Sequence, residues 1–180
     1  MNGLRAMTFA YADPPYLGCG RLYAAHHPDA LDWDDPAEHQ HLVQRLCDEY
    51  PDGWAVSLNE PSLRQYLQWV PAGARVAAWV KPFASFKPNV TRAYTWEPVI
   101  FFGGRQIPRS APTWRDHISE PITLRKGLTG AKPVAFCRWV LDGLGWDAGD
   151  DLHDLYPGTG IMGEVIAARR GQPLQAGLFA

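Results

Sequence analysis

Short apolar runs alternate along the chain with segments in which apolar residues recur every three or four positions. The apolar runs predict six short strands, at residues 7–12, 53–58, 74–80, 98–102, 151–156 and 174–179. The helical spacing predicts four helices, at residues 35–50, 61–70, 133–144 and 160–170. Strands that alternate with helices pair mostly in parallel, so we expect an α/β fold with a mostly parallel sheet and helices on both faces.

Local signals mark the ends of two helices and two irregular stretches. Asp35-Pro36 is a good helix start, with Asp as N-cap and Pro in the first turn, and Gly145 is a good helix end. Residues 17–35 are rich in Gly, Pro, His and acids and predict a mobile loop. Residues 105–130 predict an irregular, polar segment.

Length and composition favour a single domain that spans residues 1–180. The 180 residues are 46% hydrophobic and 20% charged, which suits a folded chain rather than a disordered one. No apolar run approaches the ~18 residues of a membrane span, so we expect no membrane association. The three cysteines form no CxxC pair, which favours free thiols and a cytoplasmic location.

His39 and His41 raise the question of a metal site. Their two-residue spacing places them on different faces of the predicted helix, so they do not converge on one ion. We expect a solvated helix here and no metal site.

Charge is distributed unevenly although the formal net charge is only −2. Residues 81–126 contain eight Lys or Arg and three Asp or Glu, a balance of +5, and aromatic residues are interleaved with the bases. Bases mixed with aromatics can bind phosphates and stack on unpaired nucleobases, whereas the ordinary alternative is a solvated face. The irregular segment 83–126 is therefore the candidate target-recognition region within the domain, with five candidate nucleic-acid ligands: Lys87, Arg92, Arg105, Arg109 and Arg115.

The tetrapeptide Asp13-Pro14-Pro15-Tyr16 stands at the carboxyl end of the first predicted strand, where ligands bind in open α/β sheets. The two prolines predict a stiff turn that holds Asp13 and Tyr16 in a fixed relation. A carboxylate oxygen and a prolyl carbonyl can together accept both hydrogens of an exocyclic amine. The tyrosine ring offers a flat surface on which a base can stack. The alternative is a Pro-Pro loop with a surface tyrosine.

A glycine-rich turn follows the fifth predicted strand, in the sequence from Asp154 to Gly163. It contains G-x-G-x-x-G between a predicted strand and a predicted helix, where glycines allow a tight turn and close approach of a ligand. No acid follows Glu164, so the residue that would hold a dinucleotide ribose is missing. The loop therefore predicts a tight turn that a ligand can approach closely, and it does not favour NAD or FAD.

Together these motifs resemble the S-adenosylmethionine-dependent DNA amino-methyltransferases, which methylate adenine N6 or cytosine N4. The resemblance covers nearly the whole chain in permuted order, as in small phage and bacterial members, with the Asp13–Tyr16 motif first and the glycine loop last. Lys132-Pro133 resembles the family's additional cofactor motif. Trp79-Val80-Lys81-Pro82 and the sequence from Trp96 to Ile100 resemble later strands of the family.

This resemblance implies a Rossmann-like methyltransferase sheet and a role for each motif. Asp13 and the Pro14 carbonyl would hold the target amine within the Asp13-Pro14-Pro15-Tyr16 motif, and Tyr16 would stack on a flipped base. Asp in first position is similar to the adenine-N6 subgroup. The residues implied to bind S-adenosylmethionine are Lys132, Pro133, Asp154, Tyr156, Gly158, Thr159 and Gly160.

Several alternatives stay open at this point. A non-catalytic protein of the same fold could act as a nucleic-acid-binding or partner subunit, and the acceptor could be cytosine N4 or an RNA adenine. The chain is short for a separate recognition domain, so a homodimer or a partner subunit is another source of base recognition. Glu97, at the edge of its strand, could orient a base or pair with an arginine.

Overall fold

The computed structural model describes residues 5–25, 28–82, 91–123 and 131–171, which contain six strands and four α-helices. The strands are β1 (Thr8–Ala12), β2 (Gly53–Ser57), β3 (Arg75–Val80), β4 (Trp96–Gly103), β5 (His117–Ser119) and β6 (Asp151–Asp154). The helices are α1 (Pro36–Glu49), α2 (Leu63–Trp69), α3 (Val134–Leu144) and α4 (Ile161–Arg170).

All six strands form one sheet in the order β5-β3-β4-β2-β1-β6. Within it β4 runs antiparallel to both of its neighbours, and the other pairings are parallel. The prediction of a mostly parallel sheet is therefore confirmed. Strand β1 lies between β2 and β6, with Tyr11 opposite Asp154. The carboxyl ends of β1 and β6 thus lie side by side, and we call this side of the sheet the carboxyl edge.

The sheet is covered on both faces, as the alternation along β1 requires. Phe9 and Tyr11 belong to a core cluster with α3 and α4, whereas Ala10 and Ala12 belong to a second cluster with α1 and α2. Successive side chains of a strand point to opposite faces, so one buried strand supplies both cores. The prediction of helices on both faces is confirmed.

The predicted helix signals act as expected. The Asp35 carboxylate accepts a hydrogen bond from the amide of Ala37 at 2.9 Å and caps α1. Helix α3 ends at Gly145, which has φ +66° and adopts the left-handed conformation that glycine tolerates best. The Trp146 amide then donates back to the Leu141 carbonyl at 2.9 Å, which closes the helix end.

Three expectations differ from the structure. The stretch predicted as a loop contains two 3₁₀ helices, Gly20–Leu22 and Pro28–Asp34. The stretch 105–130, predicted to be irregular, includes β5, because its backbone pairs with β3 at the edge of the sheet. His39, predicted to be solvated, is buried and bonded to Tyr66. The strand predicted at 174–179 lies outside the described residues.

Helix lengths bear on membrane association as well. No helix in the described parts of the chain is long and apolar enough to cross a bilayer.

Candidate active site

A cleft of about 520 Å³ opens at the carboxyl edge, where β1 and β6 end next to each other. This volume falls within the range of small-molecule sites. Asp13, Pro14 and Pro15, which follow β1, line one side of the cleft. Asp154 and the turn after it line another side. The rest of the lining comes from β1, from the 3₁₀ helices and the residue after the first of them, from the residues before and within α3, and from α4: Tyr11, Leu22, Tyr23, Asp29, Ala30, Trp33, Ala131, Lys132, Cys137, Ile161 and Met162.

The described partners of the Asp13 carboxylate are both on one of its oxygens. Oδ1 lies 3.0 Å from the ammonium of Lys132 and 3.2 Å from the hydroxyl of Tyr16. In the part of the chain that the structure describes, Oδ2 has no hydrogen-bond partner, and nothing bonds to the carbonyl of Pro14. Both acceptors of the proposed amine site are therefore available beside the cleft.

Tyr16 is half-buried and does not line the cleft. Its hydroxyl lies 2.8 Å from Lys132 Nζ and 2.8 Å from Glu97 Oε2. Tyr16 can donate one hydrogen to Glu97 while its oxygen accepts one from Lys132. Burial raises the pKa of Tyr16 well above its ordinary value, and the carboxylates of Asp13 and Glu97 raise it further. The phenol is therefore neutral at physiological pH.

Lys132 is buried at the residue before Pro133, the N-cap of α3. Its ammonium contacts the Asp13 carboxylate, the Tyr16 hydroxyl and Glu97 Oε2, the last at 3.3 Å. Burial lowers the pKa of Lys132, but the two carboxylates outweigh it and the pKa is raised. Burial also raises the pKa of Asp13, and the Lys132 ammonium opposes that rise. Lys132 therefore contacts two residues of the Asp13–Tyr16 motif directly, Asp13 and Tyr16.

Glu97, at the start of β4, joins this group from the neighbouring strand. Its Oε1 accepts from Lys81 Nζ at 2.7 Å, and its Oε2 faces Tyr16 and Lys132. Although burial raises its pKa, the ammonium groups of Lys132 and Lys81 lower the pKa of Glu97 to about 2. The open question about Glu97 is resolved in favour of pairing, with two lysines rather than with an arginine. We call the five residues Asp13, Tyr16, Lys81, Glu97 and Lys132 the charged network.

The glycine turn after β6 forms the second side of the cleft. The amide of Tyr156 donates to Asp154 Oδ1 at 3.3 Å, and that of Gly160 donates to the Pro157 carbonyl at 2.7 Å. Gly158 and Gly160 have φ of +47° and +75°. Side chains rarely adopt this conformation, so the backbone itself requires glycine at both positions.

Asp154 is the acidic group of this turn. Burial raises its pKa to about 6, and the hydrogen bond from the Tyr156 amide only partly opposes the rise. Asp13 and Asp29 also line the cleft, while its one lysine is already paired with carboxylates. A cleft with this charge favours a cationic ligand.

Trp33, which sequence patterns did not single out, packs against the glycine turn and forms an aromatic wall of the cleft with Tyr156. Trp33 packs edge-to-face against Tyr156, with 5.3 Å between ring centroids. Trp33 is fixed in turn by His39, which contacts its carbonyl at 2.8 Å and the Tyr66 hydroxyl at 2.6 Å. Burial lowers the pKa of His39. The histidine therefore supports the cleft as a neutral group.

The structure brings most of the expected site residues together, with exceptions. Asp154, Tyr156, Gly158, Thr159 and Lys132 line the cleft with Asp13, Pro14 and Pro15, whereas Tyr16 does not. Pro133 and Gly160 do not line it; both are N-cap residues, of α3 and α4. Among the described residues, no group of three or more His, Cys, Asp or Glu could hold a metal ion.

The basic residues expected to bind nucleic acid are spread over the molecule. Arg92 is exposed and precedes β4, whose first residue lies opposite the last residue of β3, so it stands at the carboxyl edge. Arg109 and Arg115 are also exposed, but they belong to the connection that leaves β4 at the opposite edge. Lys87 lies outside the described residues.

Arg105 has a structural position instead. Its guanidinium is 15% exposed and binds the buried Asp150 carboxylate at 2.6 Å, and it also reaches the Gly145 carbonyl at 3.2 Å. These contacts lie at the edge opposite the cleft. The charge of Arg105 is thus already balanced within the fold, unlike the role expected from its position in the basic segment.

Comparison with known proteins bears on the fold. No protein-family model matches the sequence. No curated protein matches it either. The crystal structure of the M1.HpyAVI–SAM complex is similar, with a TM-score of 0.56 and 14% identity over 92% of this chain and 80% of that one. A crystal structure of M1.HpyAVI has a TM-score of 0.53 and 15% identity, over 91% and 77% of the two chains. The chain therefore shares the α/β fold of M1.HpyAVI.

Proposed function

We propose that this protein is an S-adenosylmethionine-dependent methyltransferase that modifies the N6 amine of adenine in DNA. One observation carries the proposal: a single cleft is lined by Asp13-Pro14-Pro15 on one side and by the turn from Asp154 to Thr159 on the other. An amine acceptor site and a cofactor loop thus face each other. M1.HpyAVI, which has the same fold, is known from a crystal structure of its complex with SAM.

The residues of the cleft fit this cofactor. S-adenosylmethionine carries a positive sulfonium and a positive amino group, and the unpaired carboxylates of the cleft are Asp29 and Asp154. Asp154 would hold the cationic methionine end, because it is half-buried and has an oxygen free of described partners. The rings of Trp33 and Tyr156 offer apolar surface for the rest of the molecule.

The acceptor side fits an exocyclic amine. Asp13 Oδ2 and the Pro14 carbonyl would each accept one amine hydrogen, which orients the nitrogen lone pair toward the cleft. When bound, S-adenosylmethionine supplies a sulfonium methyl group, which the nitrogen attacks while the carbon–sulfur bond breaks and its electron pair stays on sulfur. The methylated nitrogen then loses a proton, and the Asp13 carboxylate, which already accepts a hydrogen bond from that hydrogen, takes it up. Catalysis would rest chiefly on holding the two reactants in near-attack geometry.

Access to a duplex adenine requires that the base leave the stack, at a cost of about a few kcal/mol. Arg92 stands at the carboxyl edge and is exposed, so among the described bases of the basic segment it is the one placed to hold phosphates while the target base enters. Arg109 and Arg115 serve as comparison sites away from that edge.

Labelled methyl transfer tests the proposal. The protein is incubated with methyl-labelled S-adenosylmethionine and unmethylated DNA, and the DNA is digested to nucleosides. We expect label in N6-methyl-2′-deoxyadenosine with wild type and with Asp48→Asn, an exposed carboxylate on α1, and none with Asp13→Ala. Label in N4-methylcytosine, or transfer only to RNA, would establish one of the other acceptors. Cofactor binding without transfer to any nucleic acid would establish a non-catalytic subunit instead.

A further inference from the structure

The charged network is unusual in its position and composition. Two carboxylates and two ammonium groups share a space in which Lys132, Lys81 and Glu97 are 8%, 10% and 17% exposed. A buried ion pair is weak evidence for stability, because well-packed apolar residues often stabilise a fold equally well. Since only Asp13 and Lys132 line the cleft, the presence of Glu97 and Lys81 behind them calls for another explanation.

The hydrogen-bond donors of the network are distributed in one consistent way. Lys132 has three hydrogens and three acceptors, on Asp13, Tyr16 and Glu97, within 3.3 Å. Tyr16 has one hydrogen, and Glu97 at 2.8 Å is nearer to it than Asp13 at 3.2 Å. Glu97 therefore takes the tyrosine hydrogen and a share of the ammonium, and Asp13 keeps one strong donor, on Oδ1.

We propose that Glu97, held by Lys81, is a positioning residue for the catalytic motif: it fixes the Tyr16 hydroxyl and the Lys132 ammonium so that Asp13 presents a free carboxylate oxygen to the cleft. This inference rests on the proposed function for its catalytic meaning. The structural part of the inference, that Glu97 controls the hydrogen bonding and protonation of Asp13, does not depend on methyl transfer. Glu97 itself does not line the cleft.

Two opposite substitutions distinguish positioning from general packing. Glu97→Gln keeps the side-chain shape but removes its charge, so Lys132 pairs with Asp13 alone and the pKa of Asp13 falls. Lys81→Met leaves Glu97 with one ammonium instead of two, so Lys132 is drawn toward Glu97 and the pKa of Asp13 rises. Loss of folding cannot produce shifts of opposite sign. The titratable groups that interact with Asp13 in this measurement are Lys132, Glu97, Asp154, Cys137, Tyr11, Tyr16, Tyr23 and Tyr66.

The measurement is a pH titration of the Asp13 carboxyl by NMR on protein labelled with ¹³C at aspartate, with the signal assigned by its loss in Asp13→Asn. We expect the pKa of Asp13 to fall by about one in Glu97→Gln, to rise in Lys81→Met, and to stay in place in Glu49→Gln on the surface of α1. An unchanged pKa in both network variants, or shifts of the same sign, would overturn the proposal.

Methyl-transfer kinetics supply the second readout. We expect Glu97→Gln to lower kcat about 100-fold with the KM for S-adenosylmethionine unchanged, and Glu97→Asp to restore part of the loss. An equal rise in KM with unchanged kcat would overturn the positioning role. If wild type transfers no methyl group while the opposite titration shifts appear, the proposed function fails and the control of Asp13 by Glu97 stands.

Discussion

Substitution of Asp154 by Asn should stabilise the free protein and weaken cofactor binding at the same time. The pKa of Asp154 is about 6 against an ordinary value of 3.8, so ionisation opposes folding. A pKa difference of one corresponds to about 1.4 kcal/mol, which gives an upper limit of about 3 kcal/mol. Because Asp154 is half-buried and faces solvent in the cleft, screening reduces this to about 1 kcal/mol. Asparagine retains the oxygen that accepts from the Tyr156 amide.

The sign of the pH dependence follows from the raised pKa. Below pH 3.8 the carboxyl is protonated in both the folded and the unfolded chain, so Asp154 has no cost. The cost develops as pH rises from 3.8 to about 6 and is constant above that. Wild type should therefore fall below Asp154→Asn in stability across this window.

Urea unfolding followed by tryptophan fluorescence measures the difference. We expect Asp154→Asn to be more stable at pH 7.5 by about 1 kcal/mol and the two proteins to converge near pH 4. Affinity for S-adenosylmethionine, measured by calorimetry, should rise with pH from 5 to 7 in wild type and stay flat in Asp154→Asn. A less stable variant at pH 7.5, or an unchanged affinity for S-adenosylmethionine, would refute the assignment of Asp154 as a partly buried carboxylate that binds the cofactor.

Two further predictions concern the nucleic-acid surface and the support of the aromatic wall. Arg92→Ala should weaken DNA binding and reduce the slope of log affinity against log salt concentration by about 0.9 for a lost phosphate contact. Arg115→Ala should change neither quantity in a fluorescence-anisotropy titration. Equal effects of the two substitutions would contradict the placement of DNA at the carboxyl edge. Tyr66→Phe should cost about 1–3 kcal/mol in urea unfolding at pH 7.5, because it leaves a buried ring nitrogen of His39 without its partner. Folding lowers the pKa of His39, so Asp154→Asn, in which the opposing carboxyl is absent, should lose stability as pH falls below 6.5, and a pH-independent stability of that variant would argue that this histidine is not buried in its neutral form.

The main elements of the fold could be predicted because local patterns agree with the tertiary structure. The apolar run before Asp13 is buried on both faces in β1, and the Asp35-Pro36 signal begins α1 at Pro36. Strand β5 was missed because three residues with only one half-buried side chain form no apolar run; its pairing with β3 decides its conformation. The direction of a strand depends on the strands beside it. The sequence therefore predicted the strand β4 but not that it runs antiparallel to its neighbours.

The site was predictable where a motif carries its own geometry and not where the fold supplies the neighbours. Asp13 and Asp154 come together because β1 and β6 are adjacent and parallel, with the motif and the turn both at strand ends. The pairing of Glu97 with Lys81 depends on the antiparallel register of β3 and β4, which places Val80 opposite Trp96. A sum of charges along the chain also groups Arg92 with Arg105, although the reversal at β4 sends them to opposite edges.

The adjacency of β1 and β6 has a consequence for how the protein is made. The Met7 amide, just before β1, donates to a carboxylate oxygen of Asp150, which is 143 positions further along the chain. Until β6 emerges from the ribosome, one side of β1 has an open row of backbone donors and acceptors, which is a template for association with other chains. Contacts of such long sequence separation also form slowly. Under the proposed function, a nascent chain that stops short of residue 131 has the Asp13–Tyr16 motif but lacks Lys132 and the glycine turn, so it cannot yet bind the cofactor.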